Sequence, residues 1–107
     1  AKTLFPYTTL FRSVLIKDWA DKRFPNRTVQ TCLLKLYEEI GELVKDPGSP
    51  QEHADIFIML FDLAAMYDID IADAVRAKME VNKQRKWRLT ESGTMQHVEE
   101  EPYQKLV

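Results

Sequence analysis

The chain has 107 residues, which is enough for one domain with a limited core, and 45% of them are hydrophobic while 30% are charged. Its longest strictly apolar run, IFIMLF at residues 56–61, is far too short to cross a bilayer, so we expect no membrane span. The single cysteine, Cys32, excludes an intrachain disulfide and a cysteine-based metal cluster, and it favours a reduced, cytoplasmic setting.

The stretch TLFPYTTLFRS, residues 3–13, fits no natural secondary-structure element. It resembles, codon for codon, the translation of a widely used sequencing adapter. We therefore interpret residues 1–13 as an artefact without evolved function, with an apolar N-terminal strand as the alternative. Without this segment the chain keeps 13 basic and 17 acidic residues. That balance disfavours a nucleic-acid partner, because nucleic-acid binders normally carry a basic face.

From Val14 onward the sequence predicts helices joined by short turns. The first helix, VLIKDWADKRF, ends before Pro25, because proline disfavours a helical conformation in the residue that precedes it. Thr28 is the predicted N-cap of the second helix, whose apolar residues recur at three-and-four spacing until the DPGS turn at residues 46–49.

The third helix starts at an N-cap, Ser49, with Pro50 at the first helical position and Glu52 three residues after the cap. The fourth begins near Asp70 and runs through IADAVRAKMEVNKQRKW, after which the periodicity is lost. No β alternation stands out. The sequence therefore predicts an all-α bundle of about four helices over residues 14–99.

The third helix is apolar on more sides than a small bundle can cover. Pairing with a second copy would bury this surface, so we expect a homodimer or a homotetramer. Residues 100–107 are predicted to form a C-terminal tail outside the domain.

Four acidic residues flank the turn between the second and third helices. Glu39 and Glu42 are three residues apart, as are Glu52 and Asp55, so each pair lies on one face of its helix. Counting from the turn at ~1.5 Å per residue sets Glu42 level with Glu52, and Glu39 level with Asp55. Four facing carboxylates repel each other unless cations neutralise them, and hard cations such as Mg²⁺ favour oxygen ligands. The arrangement predicts a metal site.

The same counting places a polar stripe of the fourth helix beside the third. Lys78, Asn82 and Arg85 lie four and three residues apart, on one face. Asn82 and Arg85 come level with the acids of the third helix, while Lys78 comes nearer to Asp62. We interpret Asp62 as a structural partner of Lys35 or Lys78. The sequence has no glycine-rich phosphate loop, so metal and side chains would have to hold a phosphate chain.

The motifs Glu39-x-x-Glu42 and Glu52-x-x-Asp55 resemble those of the MazG-like, all-α nucleoside triphosphate pyrophosphohydrolases, whose paired motifs hold Mg²⁺ ions. FPNRT, KLYEEIGEL, EHADIFIMLFDLA, KMEVNKQRKW and the late HV are similar to the phage and bacterial dATP/dGTP pyrophosphohydrolase-type branch. The resemblance covers about residues 14–99. It implies hydrolysis of a (deoxy)nucleoside triphosphate to the monophosphate and pyrophosphate, with Mg²⁺, or alternatively Mn²⁺, as the cofactor.

The resemblance also implies roles for individual residues. The implied metal ligands are the four motif acids, Glu39, Glu42, Glu52 and Asp55. The implied phosphate contacts are the polar and cationic side chains Lys35, Lys78, Asn82 and Arg85. Either Glu38 or Glu39 would orient or deprotonate the attacking water, and the sequence does not choose between them.

Simpler explanations remain open for several of these features. Glu52 alone would complete a capping box at the start of the third helix. Trp19 and Trp87 are candidates for stacking on a base, but an amphipathic tryptophan that closes the core is the more frequent situation. The competing hypothesis for the whole chain is a non-catalytic helical interaction module with an acidic face.

Overall fold

The computed structural model describes residues 9–98, with side chains from Val14 onward. The predicted all-α fold is confirmed, with a short hairpin added at its end. The helices and strands in chain order are α1 (Thr9–Arg23), α2 (Val29–Lys45), α3 (Pro50–Met66), α4 (Ile71–Gln84), β1 (Trp87–Leu89) and β2 (Met95–His97). Residues 1–8, which include the start of the adapter-like segment, and the predicted tail at 100–107 lie outside the described residues. Residues 9–13 are helical and begin α1, although the sequence predicted no element there and a first helix only from Val14. Between residues 9 and 98, no helix has both the length and the apolar character needed to cross a membrane.

Local sequence signals set where α2 and α3 begin, as predicted. The Thr28 hydroxyl accepts a hydrogen bond from the Thr31 backbone N–H at 3.2 Å, and the Thr31 hydroxyl accepts one from the Thr28 N–H at 2.8 Å. These reciprocal bonds form a capping box. At α3, the Ser49 hydroxyl accepts from the Glu52 N–H at 3.3 Å, and Pro50 occupies the first turn.

The described residues fall into two compact units that divide between Ala74 and Val75, inside α4. In the first unit α3 packs against both α1 and α2. Among the described side chains of this unit, the buried ones are small or polar, and they are Ala20, Cys32, Asp62, Ala64 and Ala65. Large apolar side chains such as Leu34, Tyr37 and Val44 on α2 stay mostly exposed. The first unit therefore buries little apolar surface by itself.

The fourth helix starts as predicted, because the Asp70 carboxylate accepts a hydrogen bond from the Asp73 backbone N–H at 3.2 Å. Its predicted continuation to Trp87 is wrong, since α4 ends at Gln84. The chain then turns and Trp87–Leu89 becomes a strand.

The hairpin of the second unit pairs β1 with β2 in antiparallel fashion, with Trp87 opposite His97. Their rings meet edge to face at 6.0 Å, and the Trp87 indole N–H donates to the Asn82 carbonyl at 2.8 Å. Gly93, at φ +86°, supplies the left-handed conformation of the turn. Strands of three residues are too short to show an alternating pattern, which explains why the sequence did not predict them.

Candidate metal centre

The turn at residues 46–49 brings acids of α2 and α3 together. One carboxylate oxygen from each of Glu39, Glu52 and Asp55 lies within 4.8 Å of the other two. The meeting of Glu39 with Asp55 across the hairpin agrees with the register counted from the turn. The Glu39 side chain is only 14% exposed, so part of this negative charge is withdrawn from solvent.

Glu52 has the most unusual environment of the three. Its Oε2 atom is buried and has no hydrogen-bond partner. Burial raises the pKa of the Glu52 carboxyl above its ordinary value of 4.5, and the negative charges of Asp55 and Glu39 raise it further. The Ser49 backbone N–H donates to the Asp46 carbonyl at 3.1 Å, so Glu52 does not close the predicted capping box. The Glu52 carboxylate is therefore not engaged in capping α3, and it is one of the three clustered carboxylates.

The donor set of the cluster fits a divalent cation such as Mg²⁺ or Mn²⁺. Its three members are all carboxylates, and hard cations prefer oxygen ligands. A cation between them would relieve the mutual repulsion and satisfy the buried oxygen of Glu52. We therefore regard Glu39, Glu52 and Asp55 as the core of a candidate metal centre.

The fourth predicted ligand, Glu42, lies beside this core. Its charge contributes to the raised pKa of Glu52, after burial and the charges of Asp55 and Glu39. The Glu42 carboxylate also approaches the Lys45 ammonium group at 3.7 Å, one turn along α2. A ligand role for Glu42 stays a prediction.

Lys35 places a positive charge at the edge of the cluster. Its Nζ lies 3.2 Å from the Glu38 carboxylate and 3.4 Å from the Glu39 carboxylate. The Glu38 side chain is 63% exposed, and Glu38 is not one of the three clustered acids, whereas Glu39 is. A role for Glu38 or Glu39 in orienting or deprotonating the attacking water stays a prediction.

A cavity of about 750 Å³ opens beside the acids and is walled by α1, α2 and α3. Its wall is mostly apolar, and Trp19 and Phe24 meet there edge to face at 5.8 Å. The lining residues are Leu15, Ile16, Trp19, Ala20, Phe24, Arg27, Thr31, Cys32, Lys35, Glu39, Asp55, Ile58, Met59 and Asp62. A mostly apolar cleft that also exposes the carboxylates of Glu39 and Asp55 suits a ligand that has an apolar part and a cation-binding part.

Arg27 is the residue of this cavity that the sequence analysis missed. Its guanidinium donates to both carboxylate oxygens of Asp62, at 2.8 and 2.7 Å, and these bonds raise the pKa of Arg27. Asp62 thus pairs with Arg27, so its predicted pairing with Lys35 is wrong. A pairing of Asp62 with Lys78 of the second unit stays a prediction. Arg27 lies in the loop between α1 and α2, where helical spacing cannot predict the neighbours of a side chain. The only sequence feature that included Arg27 was the family-like stretch FPNRT.

The predicted phosphate contacts Lys78, Asn82 and Arg85 belong to the second unit. The Asn82 side chain has a buried Oδ1 atom without a hydrogen-bond partner, while its amide nitrogen lies 3.9 Å from the Met79 sulfur. Arg85 follows the last residue of α4, where its backbone N–H donates to the Val81 carbonyl at 3.2 Å. The position of these side chains relative to the acids stays a prediction.

Residues 14–104 match the family of dATP/dGTP pyrophosphohydrolases. The chain belongs to this family. Membership confirms the predicted resemblance and favours a hydrolase of phosphoanhydrides over the competing helical interaction module.

Two phage relatives of this chain are named dATP/dGTP diphosphohydrolase. The protein from Salmonella phage PMBT28 is 47% identical in an alignment of length 88 that covers 78% of this chain and 29% of that protein. The protein from Cyanophage S-2L is 35% identical over 95 residues, which are 87% of this chain and 90% of that protein. This chain therefore spans less than a third of the Salmonella phage relative and most of the cyanophage relative.

A solved structure supports the same family fold. It is the Cyanophage S-2L MazG-like pyrophosphohydrolase bound to dGDP and three catalytic Mn²⁺ ions per active site. The similarity has a TM-score of 0.76 at 35% sequence identity and covers 85% of this chain and 92% of that chain. The predicted MazG-like helical fold is confirmed.

Proposed function

We propose that this chain hydrolyses (deoxy)nucleoside triphosphates, purine deoxynucleotides among them, to the monophosphate and pyrophosphate with Mg²⁺ or Mn²⁺. The observation that carries this proposal is the cluster of Glu39, Glu52 and Asp55, of which Glu39 and Asp55 also line a mostly apolar cavity. Family membership and the dGDP and Mn²⁺ ions of the cyanophage neighbour support the same conclusion.

Glu39, Glu52 and Asp55 would hold the cation, with Glu42 as the fourth proposed ligand. A bound divalent cation neutralises charge on the phosphate oxygens and lowers the pKa of a water molecule, which can then attack. The neighbouring Glu38 and Glu39 are the proposed residues for orienting that water or accepting its proton. The cluster works as a preorganised negative site, because the fold already holds its carboxylates together.

The rest of the cavity would orient the nucleotide. Trp19 and Phe24 offer flat apolar surfaces that suit a base and exclude water from it. Lys35, on the edge of the cluster, is placed to exchange its carboxylate partners for a phosphate oxygen. We propose Lys78, Asn82 and Arg85 as further phosphate contacts.

We also propose that two or four copies associate. Few large apolar side chains are buried in the described part of the first unit, and Leu34, Tyr37 and Val44 of α2 are exposed along one stretch of helix. A second copy covering such surface would add the apolar burial that a chain of this size lacks. As a hydrolase of free nucleotides, the protein would work in the cytoplasm.

The experiment that tests the proposed reaction is a product assay on a panel of nucleoside triphosphates with Mg²⁺ or Mn²⁺. Pyrophosphate and the nucleoside monophosphate are expected in equal amounts. Orthophosphate and the diphosphate would instead show that a different phosphoanhydride bond is cleaved. Omitting the metal should stop the reaction, since the acidic cluster without cations repels the anionic substrate.

A further inference from the structure

Arg27 joins three segments of the first unit. Its Nε and Nη2 atoms donate to the two carboxylate oxygens of Asp62 on α3, at 2.8 and 2.7 Å. Its Nη1 atom lies 2.8 Å from a carboxylate oxygen of Asp21 on α1 and donates to the Phe24 carbonyl at 3.4 Å. The Arg27 and Asp62 side chains are 12% and 10% exposed. The pair is thus bidentate and almost fully withdrawn from solvent.

The hydrogen bonds of Arg27 to protein oxygens indicate its role in the cavity. An arginine beside a nucleotide pocket is commonly a phosphate ligand, because its planar guanidinium matches phosphate oxygens. Here most of its N–H groups already point at protein oxygens. Asp62 likewise has both carboxylate oxygens paired with Arg27, and it is not one of the three clustered acids. Arg27 and Asp62 both line the cavity, and their paired contacts hold each other rather than a phosphate or a cation.

The pair closes the open end of the α2–α3 hairpin. Arg27 directly precedes Thr28, the N-cap of α2, and Asp62 lies two helical turns beyond Asp55 on the same face of α3. The other end of the hairpin is closed by the turn at residues 46–49. The acidic cluster lies between these two connections.

We propose that Arg27 is a positioning residue for the metal centre, and that its paired bonds to Asp62 fix how α3 is rotated and shifted against α2. This inference rests on the proposed function. Glu39 on α2 and Asp55 on α3 repel each other when no cation is bound, so the helices need a restraint to keep the ligands at binding distance. A planar two-bond contact restrains orientation as well as distance, which a single lysine bond does not.

The test measures Mn²⁺ binding directly on the full chain, from the electron paramagnetic resonance signal of free Mn²⁺. Arg27→Lys keeps the positive charge but loses the planar guanidinium that makes two hydrogen bonds to Asp62. Arg27→Met with Asp62→Leu removes both charges, so no buried charge is left unpaired and the fold can persist. Both variants are expected to bind Mn²⁺ about tenfold more weakly, the usual effect of losing a residue that orients metal ligands. The matched control is the exposed pair on α4, Glu80→Gln with Lys83→Gln, which should bind as the unmodified chain does.

The outcomes separate the two proposals. If the unmodified chain binds no Mn²⁺, the proposed function fails at its metal site. If it binds and the Arg27→Met/Asp62→Leu variant binds equally well with intact helix content, the positioning role is overturned. Loss of helix content in both variants would also overturn it, because the pair would then be needed for folding itself. Weaker Mn²⁺ binding by folded variants supports it.

Discussion

A carboxylate oxygen of Glu39 on α2 lies within 4.8 Å of one of Asp55 on α3. Two negative charges at this distance repel each other, and the Glu52 carboxylate adds a third. The protein keeps them together through the capped start of α3 and the short turn before it. Metal binding is the property that follows most directly from this geometry.

Divalent metal should stabilise the folded chain. Mg²⁺ or Mn²⁺ that binds only the folded state adds about 2.7 kcal/mol to the free energy of unfolding at a free concentration one hundred times its Kd. Thermal unfolding followed by circular dichroism should show the higher Tm, and Asp55→Asn should remove most of the shift. The control Glu80→Gln, in an exposed ion pair on α4, should keep the shift. An equal shift in the Asp55→Asn variant would remove Asp55 from the ligand set.

Turnover should depend on Glu42 as well as on Asp55. Glu42→Gln and Asp55→Asn should each lower kcat/KM by more than about 100-fold, beyond the usual range for residues that only orient ligands. The Glu42→Gln variant is the more informative of the two, because the Glu42 carboxylate contacts Lys45 and is not one of the three clustered acids. Pyrophosphate release is the measurement, and Lys45→Gln is the control for the ion pair. Near-normal turnover of the Glu42→Gln variant would limit the ligands to the three clustered acids.

The metal-free chain should lose stability as pH rises above the ordinary carboxyl range. Burial, followed by the charges of Asp55 and Glu39, raises the pKa of Glu52 above 4.5, so the folded state holds this proton more tightly than the unfolded state does. The stabilisation is present below the unfolded pKa and is lost as pH rises through the folded pKa.

Thermal unfolding in a chelator, measured from pH 4 upward, tests this effect. Glu52→Gln cannot titrate, so its Tm should fall less than that of the unmodified chain over the same interval. Parallel Tm curves for the two proteins would show that Glu52 has similar pKa values in its folded and unfolded states.

Nucleotide binding should be visible through Trp19. This side chain lines the cavity beside Phe24, whereas Trp87 lies in the hairpin of the second unit. In a Trp87→Phe background, a nucleotide with metal should quench the remaining fluorescence. Trp19→Leu should raise KM by about tenfold, since base stacking on an aromatic ring contributes ~1–3 kcal/mol. The converse background, Trp19→Phe, should show little quenching; strong quenching there would assign the base to Trp87.

Much of the first unit was predictable from the sequence, because its signals are local. Thr28 and Ser49 cap their helices as predicted. The fourth helix starts near Asp70 as predicted, where the Asp70 carboxylate accepts from the Asp73 N–H. The register of α2 against α3 follows from a short turn and a fixed rise per residue, which is why Glu39 and Asp55 meet as predicted.

The parts that the sequence did not predict depend on contacts between distant residues or on very short elements. The partner of Asp62 is far away in the chain and lies between helices, so helical spacing pointed to lysines instead of Arg27. The sequence pattern at Glu52 was ambiguous, because the same side chain could complete a capping box or bind a metal. The structure shows that the Glu52 carboxylate does not take part in a capping box and that its Oε2 atom has no hydrogen-bond partner. The strands Trp87–Leu89 and Met95–His97 are too short for periodicity to reveal.

The acids lie between the 46–49 turn and the Arg27–Asp62 pair. This placement limits where a residue can be inserted or deleted without moving the acids apart. A helix rotates by about 100° per residue, so one residue added between Asp55 and Asp62 would swing the acids away from α2 while Asp62 kept its place. A residue added to the turn leaves both helical faces as they are. Chains that share this site should therefore differ in length at the turn and keep constant spacing within α3.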